Sequence, residues 1–276
     1  MEHEGMYLYG IVFAGDGKRI EELVIKGIDG CNHLLPVTYH ELCAVASRIP
    51  LSEFGEEILD ENLQNLQWLE KKALLHEHII EQIMDTSTII PMRFCTVYKS
   101  SERIREVLEE QYEKFLTTLR FLQNKEEWGL KIFFDPQQLE KEISKVSAKV
   151  QEMQKEISAN SSGKAFFLKK KLAGLIKEEV ETKSLIYADE CYARLARLAD
   201  RSCFNKLLGQ EVTGRAKEMI LNAAYLVVRD KTADFRQEVA LLEQEYGALG
   251  LEFSVTGPWP AYHFCWNEQD GRDKDE

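Results

Sequence analysis

The opening run Tyr7-Leu8-Tyr9-Gly10-Ile11-Val12-Phe13 is apolar and aromatic and breaks at Gly15-Asp16-Gly17, which predicts a buried strand ending in a turn. Glu41-Leu42-Cys43-Ala44-Val45-Ala46-Ser47 predicts a second strand. Between Leu59 and Ile83 the period changes. Leu59, Leu63, Leu66, Leu69, Ala73, Ile80 and Ile83 recur mostly at spacings of three and four, interrupted only by His76, so this stretch predicts an amphipathic helix. Ile89-Ile90-Pro91-Met92-Arg93-Phe94 predicts a short strand, placed at an edge or strand start because proline donates nothing to a ladder. Ser100 and Ser101 offer an N-cap, and Ile104, Leu108, Phe115, Leu119 and Leu122 form the next helical stripe. Trp128 to Phe134 reads as a further strand. The order β, β, α, β, α, β predicts an α+β sheet covered by helices, of ferredoxin-like type.

After Pro136 the texture changes. Leu139, Ile143, Val146, Val150, Met153 and Ile157 alternate spacings of four and three among Lys and Glu, the seam of a coiled-coil helix. Asn160-Ser161-Ser162-Gly163 interrupts it, and a second helix is expected from about Phe166 through Leu172, Leu175, Ile176 and Val180 towards Leu198. The two predict an antiparallel hairpin whose stripe packs either on the chain's own sheet or against a partner helix. Met219 to Val228 predicts a strand. A helix capped by Thr232 follows, with Phe235, Val239, Leu242 and Tyr246 on one face and a stop at Gly247 and Gly250. Leu251 to Val255 alternates as a strand that runs into Thr256-Gly257-Pro258-Trp259-Pro260-Ala261-Tyr262. The expected organisation is an N-terminal ferredoxin-like α+β domain over residues 1–135, a C-terminal α+β domain with a helical hairpin over 136–267, and a disordered acidic tail over 268–276.

Composition narrows the function classes. In 276 residues, 47 Asp and Glu against 35 Lys and Arg give a formal charge of −12, which repels phosphate backbones and anionic lipid, so neither nucleic acid nor a lipid membrane is an expected partner. No apolar run is long enough to span a bilayer, and Met1-Glu2-His3-Glu4 lacks the start of a secretion signal, so a cytoplasmic location is expected. Cys31, Cys43, Cys95, Cys191, Cys203 and Cys265 stand singly, without a Cys-x-x-Cys pair, and read as small buried hydrophobes.

Gly10 to Lys18 resembles a phosphate loop only in part, because Val12 occupies the place of the first glycine and Arg19 the place of the Ser or Thr that binds magnesium. His76-Glu77-His78 starts like a zinc-protease helix, yet the second ligand position is Ile80. His76 therefore reads as a hydrogen-bonded core histidine. No Gly-x-Ser-x-Gly or comparable nucleophile signature accompanies a histidine. No catalytic residue, metal ligand or cofactor is expected.

Four blocks, taken together, carry a resemblance. Tyr7-Leu8-Tyr9-Gly10-Ile11-Val12, Ile90-Pro91-Met92-Arg93-Phe94-Cys95-Thr96-Val97, Glu127-Trp128-Gly129-Leu130-Lys131 and Thr256-Gly257-Pro258-Trp259-Pro260-Ala261-Tyr262 resemble the gas vesicle protein F/L family in order and interval. Two positions depart from it: relatives commonly carry glycine after the Arg-Phe pair where this chain has Cys95, and where many have a second proline followed by tyrosine it has Ala261. The resemblance implies a minor structural or accessory protein of gas vesicles. Its implied partners are the hydrophobic shell protein and other gas vesicle accessory proteins, and its implied action is to assist nucleation and limit shell-protein aggregation. Arg93, Trp259 and Tyr262 are the candidate partner-binding residues, the latter two within an aromatic cluster with Phe264 and Trp266 that either anchors a partner or packs on its own domain. The alternative reading is a small-molecule-binding or regulatory ferredoxin-like module.

Overall fold

The structure, a computed structural model, describes residues 4–266 and divides into two compact units. One runs from the start of the chain to Glu126 and is rejoined by the chain from Trp259; the other is Glu127–Pro258. The tail expected over 268–276 lies outside the described residues.

The first unit contains β1 (Glu4–Phe13), α1 (Gly17–Glu22), β2 (Leu34–Tyr39), β3 (Leu42–Pro50), α2 (Leu51–Phe54), α3 (Glu56–Gln64), α4 (Leu66–Met84), β4 (Ile90–Pro91), β5 (Val97–Tyr98), α5 (Ser101–Glu110) and α6 (Tyr112–Leu122). Its sheet has the order β2-β3-β1-β4, with antiparallel neighbours throughout and β5 also on β1. A bulge between Leu8 and Gly10 changes the alternation of β1. As a result Tyr7, Tyr9 and Val12 join Cys43, Val45 and Ile49 against Ile79, Ile80 and Ile83 of α4 and Ile20 of α1. Leu8 and Ile11 face the opposite way, toward Ile104, Leu108 and Phe115 of α5 and α6.

Three local outcomes differ from the periodic reading. Leu63 and Leu66 are exposed because the expected helix is two: the side chain of Asn65 accepts hydrogen bonds from the amides of Gln67 and Trp68 and starts α4 afresh. The buried face of α4 is Lys72, His76, Ile79, Ile80 and Ile83. The strand expected over 89–94 survives only as β4, at the sheet edge as Pro91 requires, and the chain turns at Cys95 (φ 62°) before β5 resumes pairing with β1. β2 had no clear signal, since Pro36 sits inside it and its alternation is incomplete. Ser100 caps α5 as expected, accepting from the Arg103 amide, and the five stripe residues of α5 and α6 are all buried.

The second sheet is built from β6 (Lys125–Phe134), β7, β8 and β9. Following β6 come α7 (Pro136–Val146), α8 (Ala148–Ala159), α9 (Ser162–Ala196), β7 (Arg201–Phe204), α10 (Gln210–Thr213), β8 (Glu218–Val228), α11 (Thr232–Tyr246) and β9 (Leu251–Trp259); a last turn of helix, α12 (Tyr262–Cys265), belongs to the first unit. The strand order is β7-β8-β6-β9. The Trp128–Phe134 strand was expected to close the N-terminal part, but it is an inner strand of this second sheet. Its alternate residues Trp128, Leu130, Ile132 and Phe134 enter one core with Leu221, Ala223 and Tyr225 of β8 and Phe235 and Leu242 of α11. Alternation identifies a strand's buried face without saying which sheet it belongs to.

The stretch read as one coiled-coil helix is broken at Ser147, whose hydroxyl accepts from the Val150 amide and so ends α7 and begins α8. α7 and α8 run back along α9, tied by Ser147 and Lys149 to Glu179 at 3.5 Å each. At the base of these helices Leu139, Ile143, Val150, Ile176, Val180, Cys191 and Leu195 join the sheet core. Further out, Met153 and Ile157 are only half-buried, and Phe166 and Phe167 are exposed. The stripe thus packs on the chain's own sheet at one end and is open at the other. α11 buries Phe235, Val239, Leu242 and Tyr246 as expected, but the N-cap position is held by Lys231 rather than Thr232.

Candidate functional site

Three of the distinctive sequence blocks meet in the first unit. β1 supplies Tyr7 and Tyr9, the edge segment supplies Pro91 to Thr96, and the chain after β9 supplies Tyr262 and Trp266. Backbone bonds lace the first two together: the Met92 amide donates to the Tyr9 carbonyl at 2.8 Å, and the Leu8 amide to the Thr96 carbonyl at 2.9 Å. Gly10 makes this possible, because a Cβ there would lie 2.8 Å from the Ile90 carbonyl oxygen.

His76 is the hub of the polar groups behind this edge. The Tyr7 hydroxyl accepts from the Cys95 amide at 2.9 Å and lies 3.0 Å from His76 Nδ1; because the Met92 carbonyl beside Nε2 can only accept, the neutral ring carries its proton on Nε2 and the phenol donates to Nδ1. Nε2 then donates to the Met92 carbonyl at 3.2 Å, with the Tyr262 hydroxyl 3.3 Å away. The Tyr262 hydroxyl donates in turn to Glu77 at 3.0 Å. Burial drops the His76 pKa to about 4 despite the opposing effect of the Met92 carbonyl, so the ring is neutral near pH 7. Burial also raises the Glu77 carboxyl, against the Tyr262 hydrogen bond that lowers it. Tyr9 is the second hub: its hydroxyl accepts from the Ile28 amide at 2.7 Å and pairs with the Ser47 hydroxyl at 2.8 Å. Lys72, also buried, reaches Glu53 at 2.8 Å and the Ile28 carbonyl at 2.9 Å.

On the other face of the sheet lies a cavity of about 230 Å³. Leu8, Ile11, Ile104, Leu108 and Phe115 give it an apolar lining, and Arg93, Lys114 and Trp266 also border it. The indole N–H of Trp266 donates to the Pro91 carbonyl at 3.3 Å, which fixes that wall, and the Lys114 ammonium lies 5.9 Å from the indole centroid.

The three candidate binding residues are placed differently. Arg93 is exposed at the cavity border and forms no ion pair among the described residues. Tyr262 is half-buried in the histidine network. Trp259 ends β9 with 40% of its surface exposed. Tyr262 and Trp266 therefore pack on their own unit, while Trp259 retains a free face. The link from His76 to Tyr262, 186 positions apart, had no signal in the sequence, since His76 lies outside the four blocks. Among the described residues, no group of three His, Cys, Asp or Glu side chains is arranged to hold a metal, and no helix is long and apolar enough to cross a membrane. The phosphate-loop look-alike is an ordinary turn leading into α1.

These features define an α+β protein whose distinctive residues build packed seams and an apolar cavity. Residues 5–266 match the family described as gas vesicle synthesis protein GvpL/GvpF, and the chain belongs to that family. It is similar to gas vesicle protein L of Streptomyces sp. (strain CB03234), 24% identical over 261 residues that cover 94% of this chain and 92% of the relative. It is equally similar to gas vesicle protein F of Haloferax mediterranei, 23% identical over 264 residues covering 95% and 93%. The crystal structure of the gas vesicle protein GvpF from Anabaena sp. PCC7120 has the same fold, with a TM-score of 0.70 at 17% identity, covering 96% of this chain and 99% of that one.

Proposed function

We propose that this protein is an accessory factor of gas vesicle formation that binds the hydrophobic shell protein and other accessory proteins, assists nucleation and limits aggregation of unassembled shell subunits. The observation that carries this reading is the apolar cavity beside the broken edge strand, bordered by an exposed arginine. A shell subunit with one apolar surface aggregates while unassembled, and a soluble acidic protein that covers part of that surface keeps it available. In this reading Arg93 and Trp259 contact the partner, and Tyr262 holds the terminal segment in place and contributes the exposed part of its ring. The action takes place in the cytoplasm, on the forming vesicle. The first unit is read as ferredoxin-like, which its strand order β2-β3-β1-β4 supports.

The test is co-expression with the shell protein and accessory proteins, followed by capture on the tagged chain. Wild type is expected to retain at least one of them, and Arg93→Glu with Trp259→Ser to retain at least roughly tenfold less, since truncating anchors at an interface has effects of this size. Failure of wild type to capture any gas vesicle component would overturn the proposal. A second reading, a module that binds a small molecule, draws on the same cavity. A ligand that raises the melting temperature of wild type and not of a variant with the cavity filled at Leu108 would favour it.

A further inference from the structure

The open end of the helical pair carries chemistry that the cavity does not share. Phe166 and Phe167 are 68% and 74% exposed, with their rings 5.9 Å apart in an edge-on arrangement. Two adjacent phenyl rings in water forgo the gain of apolar burial, and no packing among the described residues offsets it. Around them the charge inverts. Residues 157–177 hold five lysines and no Asp or Glu, in a chain whose net charge is −12. Lys169, Lys170 and Lys171 are exposed and form no ion pair among the described residues.

Helical geometry arranges these groups. At 100° per residue, Leu172, Leu175 and Ile176 face the packed side of α9, while Phe166, Phe167, Lys170, Ala173 and Gly174 share the outward side. Gly174 has open space where a Cβ would stand. The outward side is therefore a narrow apolar strip: two aromatic rings, then two small residues over which another backbone can come close, with ammonium groups along it. A second helix packs on such a strip at an axial separation of roughly 8 to 10 Å.

We propose that this outward face of α9 is a docking surface for an acidic amphipathic helix of a partner protein, which covers Phe166 and Phe167 with its apolar stripe and places carboxylates against Lys169, Lys170 and Lys171. A helix is favoured over a lipid surface because the small residues matter only to a close-packed backbone, and because a pair of phenyl rings is little apolar area for insertion into a bilayer. The surface uses neither Arg93 nor Trp259, so the proposal stands independently of where the shell protein binds.

The test uses the full chain and a peptide about three heptads long, with leucine on one face and glutamate elsewhere, beside its lysine counterpart. Fluorescence anisotropy is expected to show binding of the glutamate peptide that weakens with added salt. Affinity should fall at least ~tenfold in Phe166→Ser/Phe167→Ser and in Lys169→Glu/Lys170→Glu/Lys171→Glu, as for loss of interface anchors. Circular dichroism and melting should be unchanged, because these side chains are exposed. Equal binding of the lysine peptide, no binding of the glutamate peptide, or undiminished binding by the phenylalanine variant would each overturn the proposal. So would capture of the chain by phosphatidylglycerol vesicles without capture of the peptide, an outcome that assigns the surface to lipid.

Discussion

Tyr7 and His76 share a 3.0 Å hydrogen bond between the phenol oxygen and Nδ1, joining the first strand to the helix that covers it. The same phenol accepts from the Cys95 amide. Tyr7→Phe strands two buried partners at once, and each such group costs about 1 to 3 kcal/mol. A loss of about 2 kcal/mol or more is expected in urea unfolding.

Tyr225 supplies the contrast. It is as buried as Tyr7, yet its hydroxyl has no hydrogen-bond partner among the described residues. Removing a buried hydroxyl that pairs with nothing relieves its desolvation, so Tyr225→Phe is expected to be neutral or stabilising by up to about 1 kcal/mol. Chemical denaturation of both variants side by side separates the two kinds of buried tyrosine.

Acid should weaken the first unit through His76. Its folded pKa of about 4 lies below the roughly 6.5 of an unfolded histidine. Between those values the unfolded chain binds the extra proton, so stability is full above about pH 6.5 and declines as pH falls toward 4, by about 3 kcal/mol in total. Glu77 acts in the opposite sense, because its raised carboxyl takes up a proton more readily in the folded state. His76→Gln should flatten the profile in that window, measured as urea midpoint against pH.

Cys95 occupies a backbone position with φ of 62°, the left-handed region that favours glycine. A non-glycine residue there costs about 1 kcal/mol, and a β-branched residue more. Cys95→Gly is expected to be at least as stable as wild type after the entropy of the unfolded chain is counted, whereas Cys95→Val should lose about 1 to 2 kcal/mol. Thermal melts of the pair decide it.

The cysteines should react in a fixed order. Cys31 is exposed, contrary to the expectation of six buried thiols, while Cys43 and Cys191 are buried with thiols pushed up to about 12 by desolvation. A thiolate-selective reagent at neutral pH should label Cys31 within the mixing time of a slow assay and reach Cys43 and Cys191 only on unfolding. Mass spectrometry of labelled fragments gives the order directly.

Much of the fold was legible because period and punctuation were clean. Ile104, Leu108, Phe115, Leu119 and Leu122 marked a buried face correctly, as did Phe235, Val239, Leu242 and Tyr246. What failed were junctions and long-range choices. Asn65 and Ser147 each restart a helix through side-chain bonds to backbone amides, a signal hidden inside an apolar period that continues across the junction. Trp128 to Phe134 alternates as a strand should, but nothing local distinguishes one sheet from another. His76 was readable as a core histidine from its neighbours, whereas its partners Tyr7 and Tyr262 are fixed only by tertiary structure. Lys72 was missed for a related reason: a lysine reads as surface until a buried carbonyl and a carboxylate are brought to it.

The Tyr262 hydroxyl comes to His76 from 186 residues further along the chain. During synthesis at roughly 5 to 20 residues per second, the histidine therefore waits on the order of 10 to 40 s for its cover. Over that interval the nascent first unit has its sheet and helices available but lacks the closing aromatic wall. Until Trp266 has been made, the edge near Pro91 lacks the indole that borders it in the finished fold.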